Sequence, residues 1–434
     1  MLWKPTPSPN NQKVKILQEA LQVPQTIASL LVQRHITTYE AAKNFFRPQW
    51  DALHDPFLMR DMFSAVNRIE KAIAEKERIM VYGDYDVDGT TSVALVYSYL
   101  KPLANVFPYI PDRNLEGYGI SRKGIKVAKE KEISLIIALD CGIKAIDQVN
   151  YASELEIDFI ICDHHKPGVS LPNAVAVLDP KRSDCMYPFE YLCACGIGFK
   201  LVQALTQKKG ATQEDLMPFL DLVATATAAD IVPMIGENRI LTHFGLKQIN
   251  AAPRVGIRHF LNELKRPVNV SDLVFRLAPR INAAGRMEQG INAVRLLTSL
   301  SIDEVRPIAR VIEFNNSERR AKDEKMTEEA LLQVAENDLV YTNVVFAPHW
   351  HKGVIGIVAS RLIEHYYRPT VVLTQGGDHL AGSVRSVKGF DVYQALEASQ
   401  DYLIQFGGHK YAAGLTLQPN QLEGFKTRFE EVVK

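Results

Sequence analysis

Three aspartates alternate with other residues in the stretch VYGDYDVDGTT, which covers residues 81–91 and follows an apolar run. They are Asp84, Asp86 and Asp88. In an extended chain, alternate side chains point to the same side, so we expect these three carboxylates to lie together. Clustered acids repel one another unless a cation neutralises them, and carboxylate oxygens suit divalent cations. The spacing therefore predicts a divalent metal site.

The same DxDxDG pattern also opens an EF-hand calcium loop, which is the main alternative. An EF-hand needs a helix before the loop and a glutamate at the twelfth position. The twelfth position here is Leu95, and the preceding residues 79–81 have the apolar composition of a strand. The EF-hand interpretation therefore fails.

Two further strand-like segments also end in metal-type side chains. The segment SLIIALDCG carries Asp140, and IDFIICDHHKPG carries Asp163, His164 and His165. The residues between them, 144–155, have the apolar periodicity of a helix. Strand–helix–strand repetition indicates a parallel sheet, whose ligand sites lie at the carboxyl ends of its strands. All three acid-bearing segments therefore indicate one site at that edge.

These motifs resemble those of the DHH phosphoesterase superfamily, which is named for the triplet found here at residues 163–165. Within it, the chain is most similar to the RecJ family of exonucleases specific for single-stranded DNA, and the resemblance covers almost the whole chain. The motifs that carry it are YGDYDVDGTT, LDCG, CDHHKPG, ACGIGFKL, ATAADIVPM, FRLAPRINAAGRM, WHKGVIGIVASRL and GGHKYAAG. Any one motif is modestly specific, whereas their order and spacing together are very specific.

The resemblance implies a phosphodiesterase with two divalent ions, Mn²⁺ or Mg²⁺, and the histidine content favours Mn²⁺. The implied metal ligands are Asp86, Asp88, Asp140, His164 and Asp230, with Asp84 as an additional ligand or a neighbour of the ligands. His165 would orient a group or transfer a proton, and Asp163 would hydrogen-bond a neighbouring imidazole.

Two positions qualify this ligand set. Many superfamily members have a histidine where Tyr82 stands, which leaves one metal site a ligand short unless Asp84 or water compensates. Asp221 is the other acid in the last acidic segment, but its place inside a helix pattern predicts a surface acid. We therefore choose Asp230 from that segment.

Substrate recognition needs cations and backbone donors. The resemblance implies that Arg113, Arg280, Ser383 and Arg385 contact phosphates, including the terminal 5′-phosphate, and it places Arg280 among the catalytic residues as well. Guanidinium groups suit this task because they bind phosphate oxygens in a bidentate manner. Arg113, Ser383 and Arg385 are expected to form the 5′-phosphate pocket.

Other residues near the end of the chain offer further contacts. Gly407, Gly408 and His409 resemble the DHH-associated glycine motif, in which missing side chains let backbone amides approach nucleic acid. Trp350 and His351 allow either base stacking or, for Trp350, core packing, and both interpretations stay open.

The predicted fold class is α/β. A parallel-sheet DHH phosphoesterase domain is joined by a long helix to a smaller α/β DHH-associated domain, with the active site in the cleft between them. The expected regions are a helical leader at 1–60, the catalytic domain at 61–235, a helical connector at 236–338 and the substrate-binding domain at 339–434. A highly charged helix pattern in the connector suits a bridge across solvent.

Composition sets limits on the protein class. The 434 residues are 47% hydrophobic and 23% charged, which is typical of a soluble globular protein with two or three domains. No apolar run reaches membrane-spanning length, and the first residues lack a signal-peptide pattern. The chain has five cysteines, an odd number, and Cys141 and Cys162 lie in apolar strand settings, which predicts reduced thiols and a cytoplasmic location. The net charge of zero does not decide the substrate.

The resulting hypothesis is a metal-dependent 5′→3′ exonuclease that hydrolyses single-stranded DNA to 5′-mononucleotides in repair and recombination. Its expected partners are single-stranded DNA with a 5′-phosphate and, as candidates, a single-strand-binding protein or helicase; no membrane partner is expected, and the protein is expected to be a monomer. The alternatives are a DHH-type nano-RNase or small-molecule phosphatase, and a non-catalytic nucleic-acid-binding scaffold.

The end of the chain adds one expectation. Members of the RecJ family commonly continue beyond the glycine motif into an OB-fold that grips the single strand, whereas this chain stops at Lys434. It is therefore expected to digest DNA slowly, with poor processivity and strong sensitivity to salt.

Overall fold

The structure is a computed structural model that describes residues 6–113, 115–210, 212–287, 290–336 and 338–434. The chain divides into two units. The first comprises Met1–Asn282 with Gly290–Ala309, and the second comprises Ala283–Gln289 with Arg310–Lys434.

The helices follow one another along both units. They are α1 (Asn11–Leu21), α2 (Gln25–Gln33), α3 (Tyr39–Phe46), α4 (Met62–Ala74), α5 (Val87–Leu100), α6 (Arg122–Glu130), α7 (Ile146–Glu154), α8 (Ala194–Gln207), α9 (Gln213–Leu216), α10 (Leu220–Ala229), α11 (Gly236–Ala251), α12 (Val255–Leu261), α13 (Val270–Asp272), α14 (Ala278–Met287), α15 (Ile291–Thr298), α16 (Ile302–Ala335), α17 (Ile355–His365), α18 (Val392–Glu397) and α19 (Leu422–Val433). A π-helical turn over Leu273–Leu277 joins α13 to α14.

A five-stranded parallel sheet forms the centre of the first unit. Its strands are β1 (Arg78–Gly83), β2 (Asn105–Tyr109), β3 (Ile133–Leu139), β4 (Asp158–Cys162) and β5 (Ala176–Leu178), in the spatial order β2-β1-β3-β4-β5. β1 and β3 are largely buried apolar runs, as expected for parallel strands covered on both faces. From β1 the chain adds β2 on one side and then β3, β4 and β5 on the other. The topological switch point therefore lies between β1 and β3, which is where such sheets bind ligands. The predicted parallel sheet is confirmed.

The leader forms short helices with a core of their own. Thr38 caps α3 by accepting a hydrogen bond from the Ala41 amide at 3.1 Å. Val14, Leu17 and Leu31 belong to a small buried cluster of α1 and α2. This region belongs to the first unit.

A buried ion pair anchors the helix that ends beside the candidate site. Asp221 in α10 is buried, and its Oδ1 lies 3.0 Å from the Arg254 Nε atom. Its Oδ2 accepts a hydrogen bond from the Arg254 backbone amide at 3.0 Å. Burial raises the pKa of Asp221, and the contacts with Arg254 oppose that effect. The expectation of a surface acid is therefore wrong, because α10 is enclosed by α5, α8 and α11.

The second unit contains a mixed sheet with helices. Its strands are β6 (Asn343–Phe346), β7 (Thr370–Gly376), β8 (His379–Arg385), β9 (Gln405–His409) and β10 (Ala412–Leu417), in the order β6-β7-β8-β10-β9. β6 and β7 are parallel, and the other pairs are antiparallel. Phe425 and Phe429 of α19 belong to its core.

The long charged helix α16 is only partly a solvent-exposed element. Met326, Ala330 and Val334, all in its C-terminal half, are buried in a cluster with Trp350 and neighbouring apolar residues. This half therefore packs within the second unit, and the expected solvent bridge does not describe it. Within the described residues, we find no helix long and apolar enough to cross a membrane.

Candidate metal centre

The carboxyl ends of β1, β3 and β4 place acidic and imidazole side chains at one edge of the first unit's sheet. Asp84 follows β1, Asp140 follows β3, and Asp163 follows β4. The Asp140 amide still donates to the Cys162 carbonyl at 3.0 Å, although its φ of 63° lies in the left-handed region. That conformation is uncommon for a residue with a side chain and is often found at functional sites.

Asp86 and Asp88 reach this edge by a different route from the one expected. The chain is not extended through all three aspartates, because α5 begins at Val87. Asp86 is the N-cap, and its Oδ1 accepts a hydrogen bond from the Gly89 amide at 3.0 Å. A Cβ atom at Gly89 would lie 2.4 Å from the Asp84 carbonyl oxygen, so the close approach requires glycine. The three aspartates therefore do not share one extended segment, as the alternation had predicted, although their carboxylates do converge.

The structure brings the candidate ligands together in three overlapping groups. Within each group, ligand atoms lie within 4.8 Å of one another. The groups are Asp84, Asp86 and Asp140; Asp88, His164 and Asp230; and Asp140, His164 and His165. Asp140 and His164 each belong to two groups, which is the arrangement expected where two ions lie close together.

His164 lies at the centre of these groups. Its Nε2 is 3.2 Å from Asp140 Oδ1 and 3.7 Å from Asp88 Oδ2, and its Nδ1 is 3.7 Å from Asp230 Oδ2. Asp230 is the C-cap residue of α10, so the anchored helix delivers it to the site.

Asp88 is held by a contact that the sequence did not reveal. Its Oδ2 accepts a hydrogen bond from the Ala194 amide at 2.7 Å, and its Oδ1 accepts one from the Cys195 amide at 2.9 Å. These amides belong to the first turn of α8, where unpaired N–H groups and the helix dipole favour an anion. The ACGIGFKL motif therefore has a role in the site through its backbone. The five cysteines are free thiols.

Asp163 acts as a hydrogen-bond acceptor for the DHH turn. Its Oδ1 lies 2.8 Å from His165 Nδ1 and accepts the His164 amide at 2.8 Å, and its Oδ2 accepts the Ile143 amide at 2.9 Å. Burial opposes ionisation, but the hydrogen bond with His165 lowers the pKa of Asp163 to about 2. The same contact outweighs burial and raises the pKa of His165.

Tyr118 is a further neighbour of this pair that sequence reasoning missed. Its hydroxyl lies 3.4 Å from His165 Nε2. The residue is 58% exposed, yet its hydroxyl end lies among the acids, and burial together with Asp140 raises the pKa of Tyr118. The hydroxyl therefore stays protonated, and its oxygen can accept a hydrogen bond from Nε2 when the His165 ring is protonated. Only its position after β2, in the YIPDRNLEGYG segment, could have drawn attention to it.

The protein atoms by themselves disfavour ionisation of several carboxylates. Burial is the largest cause, and the charge of Asp86 is the next. Together they raise the pKa of Asp84 and raise that of Asp88 to about 7. In the same way, burial and then the charge of Asp88 are the main causes that raise the pKa of Asp140 and raise that of Asp230 to about 8. Such acids ionise readily once a cation neutralises them.

The donor set fits divalent cations. Among the described residues, Asp84 Oδ1 and Asp140 Oδ1 are buried and accept no hydrogen bond of normal geometry, although His164 Nε2 lies 3.2 Å from Asp140 Oδ1. Leaving buried carboxylate oxygens without a hydrogen-bond donor is costly, so these oxygens are suited to coordinate a cation. Carboxylates with imidazole are the ligands that Mn²⁺ and Mg²⁺ sites use.

Tyr82 cannot take the place of a histidine ligand in this arrangement. Its ring is fully buried and stacks on Tyr109 with 5.2 Å between ring centroids. Its hydroxyl donates to the Gly119 carbonyl at 2.8 Å and accepts the Ser121 amide at 3.2 Å. Tyr82 therefore stabilises the core and the loop before α6.

Two candidate phosphate-binding arginines lie in the first unit. Arg113 follows β2, and its guanidinium lies over the Tyr85 ring at 4.9 Å. Arg280, in α14, donates to the Arg276 carbonyl at 2.6 Å and lies 5.6 Å from the Phe260 ring centroid. Arg113 is thereby next to the aspartate loop that follows β1.

Two further candidates lie on β8 of the second unit, beside the first turn of α17. The Arg385 Nη1 donates to the Ser383 hydroxyl at 3.1 Å and to the Val384 carbonyl at 2.8 Å. A Cβ atom at Gly356 would lie 2.9 Å from Arg385 Nη2 and 3.0 Å from Ser383 Oγ. The hydroxyl, the guanidinium and the helix N-terminus therefore adjoin one another, which is a favourable setting for a phosphate.

The glycine motif forms a hairpin strand in the second unit. Gly407 and Gly408 lie on β9, opposite Gly414 and Ala413 of β10. Gly408 has a φ of 145°, and a Cβ atom there would lie 2.5 Å from the Ala412 carbonyl oxygen. Gly407 has open space at its Cβ position. The backbone near Gly407 and His409 is thus exposed along an edge strand.

Trp350 belongs to the core. It is 3% exposed, and its Nε1 donates to Glu329 Oε2 at 2.7 Å. His349 binds the same oxygen at 2.8 Å. Of the two interpretations left open, core packing is correct for Trp350.

The parallel sheet with an acidic loop, a lone aspartate and a DHH triplet at successive strand ends defines a phosphoesterase domain of the DHH class. The profile of the DHH family, N-terminal domain, matches residues 78–227, and that of the DHHA1 domain matches residues 337–434. The chain is 40% identical to the single-stranded-DNA-specific exonuclease RecJ of Bacillus subtilis and 38% identical to that of Salmonella typhimurium. The chain belongs to the RecJ family.

The alignments cover unequal shares of the compared chains. The Bacillus subtilis match covers 98% of this chain and 54% of the relative, so the chain spans about half of that relative's length. The Salmonella typhimurium match covers 85% of this chain and 68% of the relative. The structure of RecJ from Thermus thermophilus in complex with Mn²⁺ superposes with a TM-score of 0.86 at 30% identity, over 98% of this chain and 61% of that chain. The same protein is also known in complex with Mg²⁺.

Proposed function

We propose that this protein is a divalent-metal-dependent exonuclease that removes 5′-mononucleotides from the 5′ end of single-stranded DNA. The observation that carries the proposal is the convergence of the Asp84, Asp140 and His164 groups at one sheet edge in a chain of the RecJ family. We further propose that it acts as a monomer on strands with a 5′-phosphate.

The residues that would hold the metal ions follow from the groups. Asp84, Asp86 and Asp140 would hold one ion, and Asp88, His164 and Asp230 the other. When bound, two such ions supply an activated water molecule and stabilise charge on the reacting phosphate. The amides of α8 hold Asp88 in a fixed orientation, which would keep its carboxylate aligned with His164 and Asp230.

His165 has the surroundings of a proton donor. Asp163 accepts a hydrogen bond from Nδ1 and favours the imidazolium, so Nε2 carries a transferable proton. Release of the terminal nucleotide breaks the bond between its 3′-oxygen and the next phosphorus atom. His165 Nε2 would protonate that 3′-oxygen as the nucleotide departs. Tyr118 contacts the same nitrogen and would orient the ring until substrate arrives.

Phosphate binding is proposed for Arg113 and Arg280 in the first unit and for Ser383 and Arg385 in the second. The support is their chemistry and setting: Arg113 adjoins the aspartate loop, and Ser383 with Arg385 adjoins the start of α17. The exposed backbone of β9 at Gly407, Gly408 and His409 would add amide contacts.

The test is digestion of a single-stranded oligonucleotide of about 40 residues, labelled at either end, with Mn²⁺, with Mg²⁺ and with chelator. We expect mononucleotides from the 5′ end only when a metal ion is present, and little digestion of blunt duplex. Hydrolysis of dinucleotides without digestion of long strands would favour the nano-RNase alternative. Binding of DNA without any metal-dependent hydrolysis would favour the scaffold.

A further inference from the structure

The segment that follows β5 approaches the DHH turn from the neighbouring strand end. Asp179 is buried directly after β5, and its Oδ1 accepts the Lys181 backbone amide at 2.7 Å. Arg182 then donates to the Val177 carbonyl and to Asp61 Oδ2, both at 2.6 Å. The Lys181 amide and the side chain of the next residue, Arg182, are thus hydrogen-bonded to residues in or directly after β5, so the base of the Lys181 side chain has a defined position.

The Lys181 side chain ends on the backbone of a candidate metal ligand. Its ammonium donates a hydrogen bond to the carbonyl oxygen of His164. That carbonyl belongs to the peptide group between His164 and His165, so its orientation affects both imidazole rings. The Asp163 carboxylate accepts hydrogen bonds from the backbone amides of His164 and His165. Lys181 donates to the backbone carbonyl of His164 in the same turn.

Two effects of this ammonium on a bound cation oppose each other. Its charge repels the cation, and Asp230 lies within its electrostatic reach. Its hydrogen bond restrains the peptide that carries the His164 ring, and loss of such supporting contacts typically weakens metal binding about 10–100-fold. Asp179 also lies within electrostatic reach of the ammonium and offsets part of its charge. If the restraint outweighs the repulsion, loss of Lys181 weakens cation binding; if the repulsion outweighs it, loss of Lys181 strengthens cation binding.

We propose that Lys181 is a positioning residue of the metal centre, which holds the peptide between His164 and His165 so that both rings keep their alignment. The inference rests on the proposed metal-dependent function. Lys181 acts through the DHH turn and, on this proposal, touches neither metal nor DNA.

The experiment measures Mn²⁺ binding to the metal-free 434-residue protein without DNA, by electron paramagnetic resonance. Lys181→Met removes both the donor and the charge, Lys181→Gln keeps a neutral donor, and Lys181→Arg keeps a charged donor. We expect about tenfold weaker Mn²⁺ binding for Lys181→Met and smaller losses for the other two. Lys144→Met is the matched control, because Lys144 is an exposed lysine that follows β3 at the same sheet edge; its Mn²⁺ affinity should match the wild type.

Each outcome has a distinct meaning. Equal or tighter Mn²⁺ binding by Lys181→Met and Lys181→Gln would overturn the positioning role, since charge repulsion would then dominate. Unchanged Mn²⁺ binding with a higher KM for DNA would make Lys181 a substrate contact, which also overturns it. If the wild type itself binds no Mn²⁺, the proposed metal centre fails instead. If circular dichroism shows that Lys181→Met does not fold, Lys181→Gln and Asp179→Ala decide the question. Asp179→Ala removes the acceptor of the Lys181 amide, so wild-type Mn²⁺ affinity in this variant would contradict the proposal.

Discussion

At the scale of single residues, the centre depends on acids whose charge the protein alone does not compensate. Asp84 and Asp140 each have a buried oxygen that accepts no hydrogen bond of normal geometry from the described residues. Asp163, in contrast, is fully engaged by amides and by His165. Acids of the first kind are suited to bind cations, and an acid of the second kind is suited to orient a histidine.

Replacement of Asp140 should separate activity from stability. Asp140→Asn keeps the shape but removes a charge shared by two of the ligand groups, so we expect at least a ~100-fold loss of Mn²⁺-dependent hydrolysis. The metal-free variant should unfold at the same or a higher urea concentration, because one repelling charge is gone. Asp147→Asn, an exposed acid in the first turn of α7, is the control and should keep full activity. Near wild-type hydrolysis by Asp140→Asn would refute the assignment.

Arg385 should affect the choice of DNA end. Arg385→Ala removes a guanidinium beside Ser383 and the start of α17. The ratio of kcat/KM for 5′-phosphorylated over 5′-hydroxyl strands should fall about tenfold, since a charged hydrogen bond contributes roughly 1.5–3 kcal/mol. Arg428→Ala, an exposed arginine of α19, serves as the control. An equal loss on both substrates would mean that Arg385 supports the fold or binds phosphates without preference for the end.

At the scale of elements, helix ends and strand ends position the centre. The start of α5 carries Asp86 and Asp88, the start of α8 binds Asp88, and the end of α10 carries Asp230. A helix can hold a ligand in place only if it is itself anchored, and α10 is anchored by the buried pair of Asp221 and Arg254.

Breaking that pair should cost stability. Asp221→Ala leaves the Arg254 guanidinium without its carboxylate, and removal of one partner from a buried pair costs about 3–5 kcal/mol. Because Arg254 is partly exposed, we expect a loss of about 3 kcal/mol in the free energy of unfolding, measured with urea. Glu214→Ala, at an exposed position of α9, should change that free energy by less than about 0.5 kcal/mol. A loss below about 1 kcal/mol for Asp221→Ala would show that solvent replaces the pair.

A carboxylate in α19 should make the stability of the second unit depend on pH. Glu430 accepts hydrogen bonds from the Val340 and Tyr341 amides and the Thr342 hydroxyl. Burial opposes ionisation, but these contacts lower the pKa of Glu430. A lowered folded-state pKa means that the stabilisation is complete above the unfolded-state pKa and is lost as pH falls through the folded-state value.

Glu430→Gln tests this dependence. At pH 7 the variant should be less stable than the wild type by about 1 kcal/mol, because a charged acceptor is replaced by a neutral one. The difference should shrink as pH falls below about 4.5, because the Glu430 carboxylate is protonated there in the unfolded chain and only at lower pH in the folded protein. Urea midpoints between pH 3.5 and 8 measure it, with Glu431→Gln as the exposed neighbour for comparison. A difference that stays constant across this range would contradict the role of the charge.

At the scale of the whole molecule, a chain of zero net charge must bind a polyanion through local clusters of cations. Only a few side chains are proposed to contact phosphates. Each such contact releases counterions from the DNA, and this release favours binding less as the salt concentration rises. We therefore expect the 434-residue chain to digest DNA with strong salt sensitivity and little processivity.

Salt dependence provides the measurement. The plot of log kcat/KM against log salt concentration should become less steep by about 0.7 in Arg385→Ala, the value expected when one phosphate of a single strand is no longer neutralised. Arg428→Ala should leave the slope unchanged. In a separate digestion with excess unlabelled trap, many nucleotides removed from the labelled strand per encounter would contradict poor processivity.

Local sequence patterns were enough to predict which residue types meet and at which edge of the sheet. Apolar runs ending in Asp84, Asp140 and the DHH triplet indicated a parallel sheet with its site at the carboxyl ends, and the motif order indicated the family. These signals are local, because strand periodicity and a following acid span only a few neighbouring residues. Helices α7, α8, α10 and α16 were predictable for the same reason, as were β6, β7 and β10.

Which acids share a ligand group, and which contacts hold them, depends on packing between segments that are far apart in the sequence. The contact between Asp88 and α8 joins residues 106 positions apart, and that between Asp221 and Arg254 joins residues 33 apart, so no local pattern reports either. The same holds for Trp350, whose burial depends on α16, and for the strands β8 and β9, whose glycines lower the local strand signal. Local chemistry selects the ligands, whereas packing between distant segments sets their distances, their burial and hence their charge.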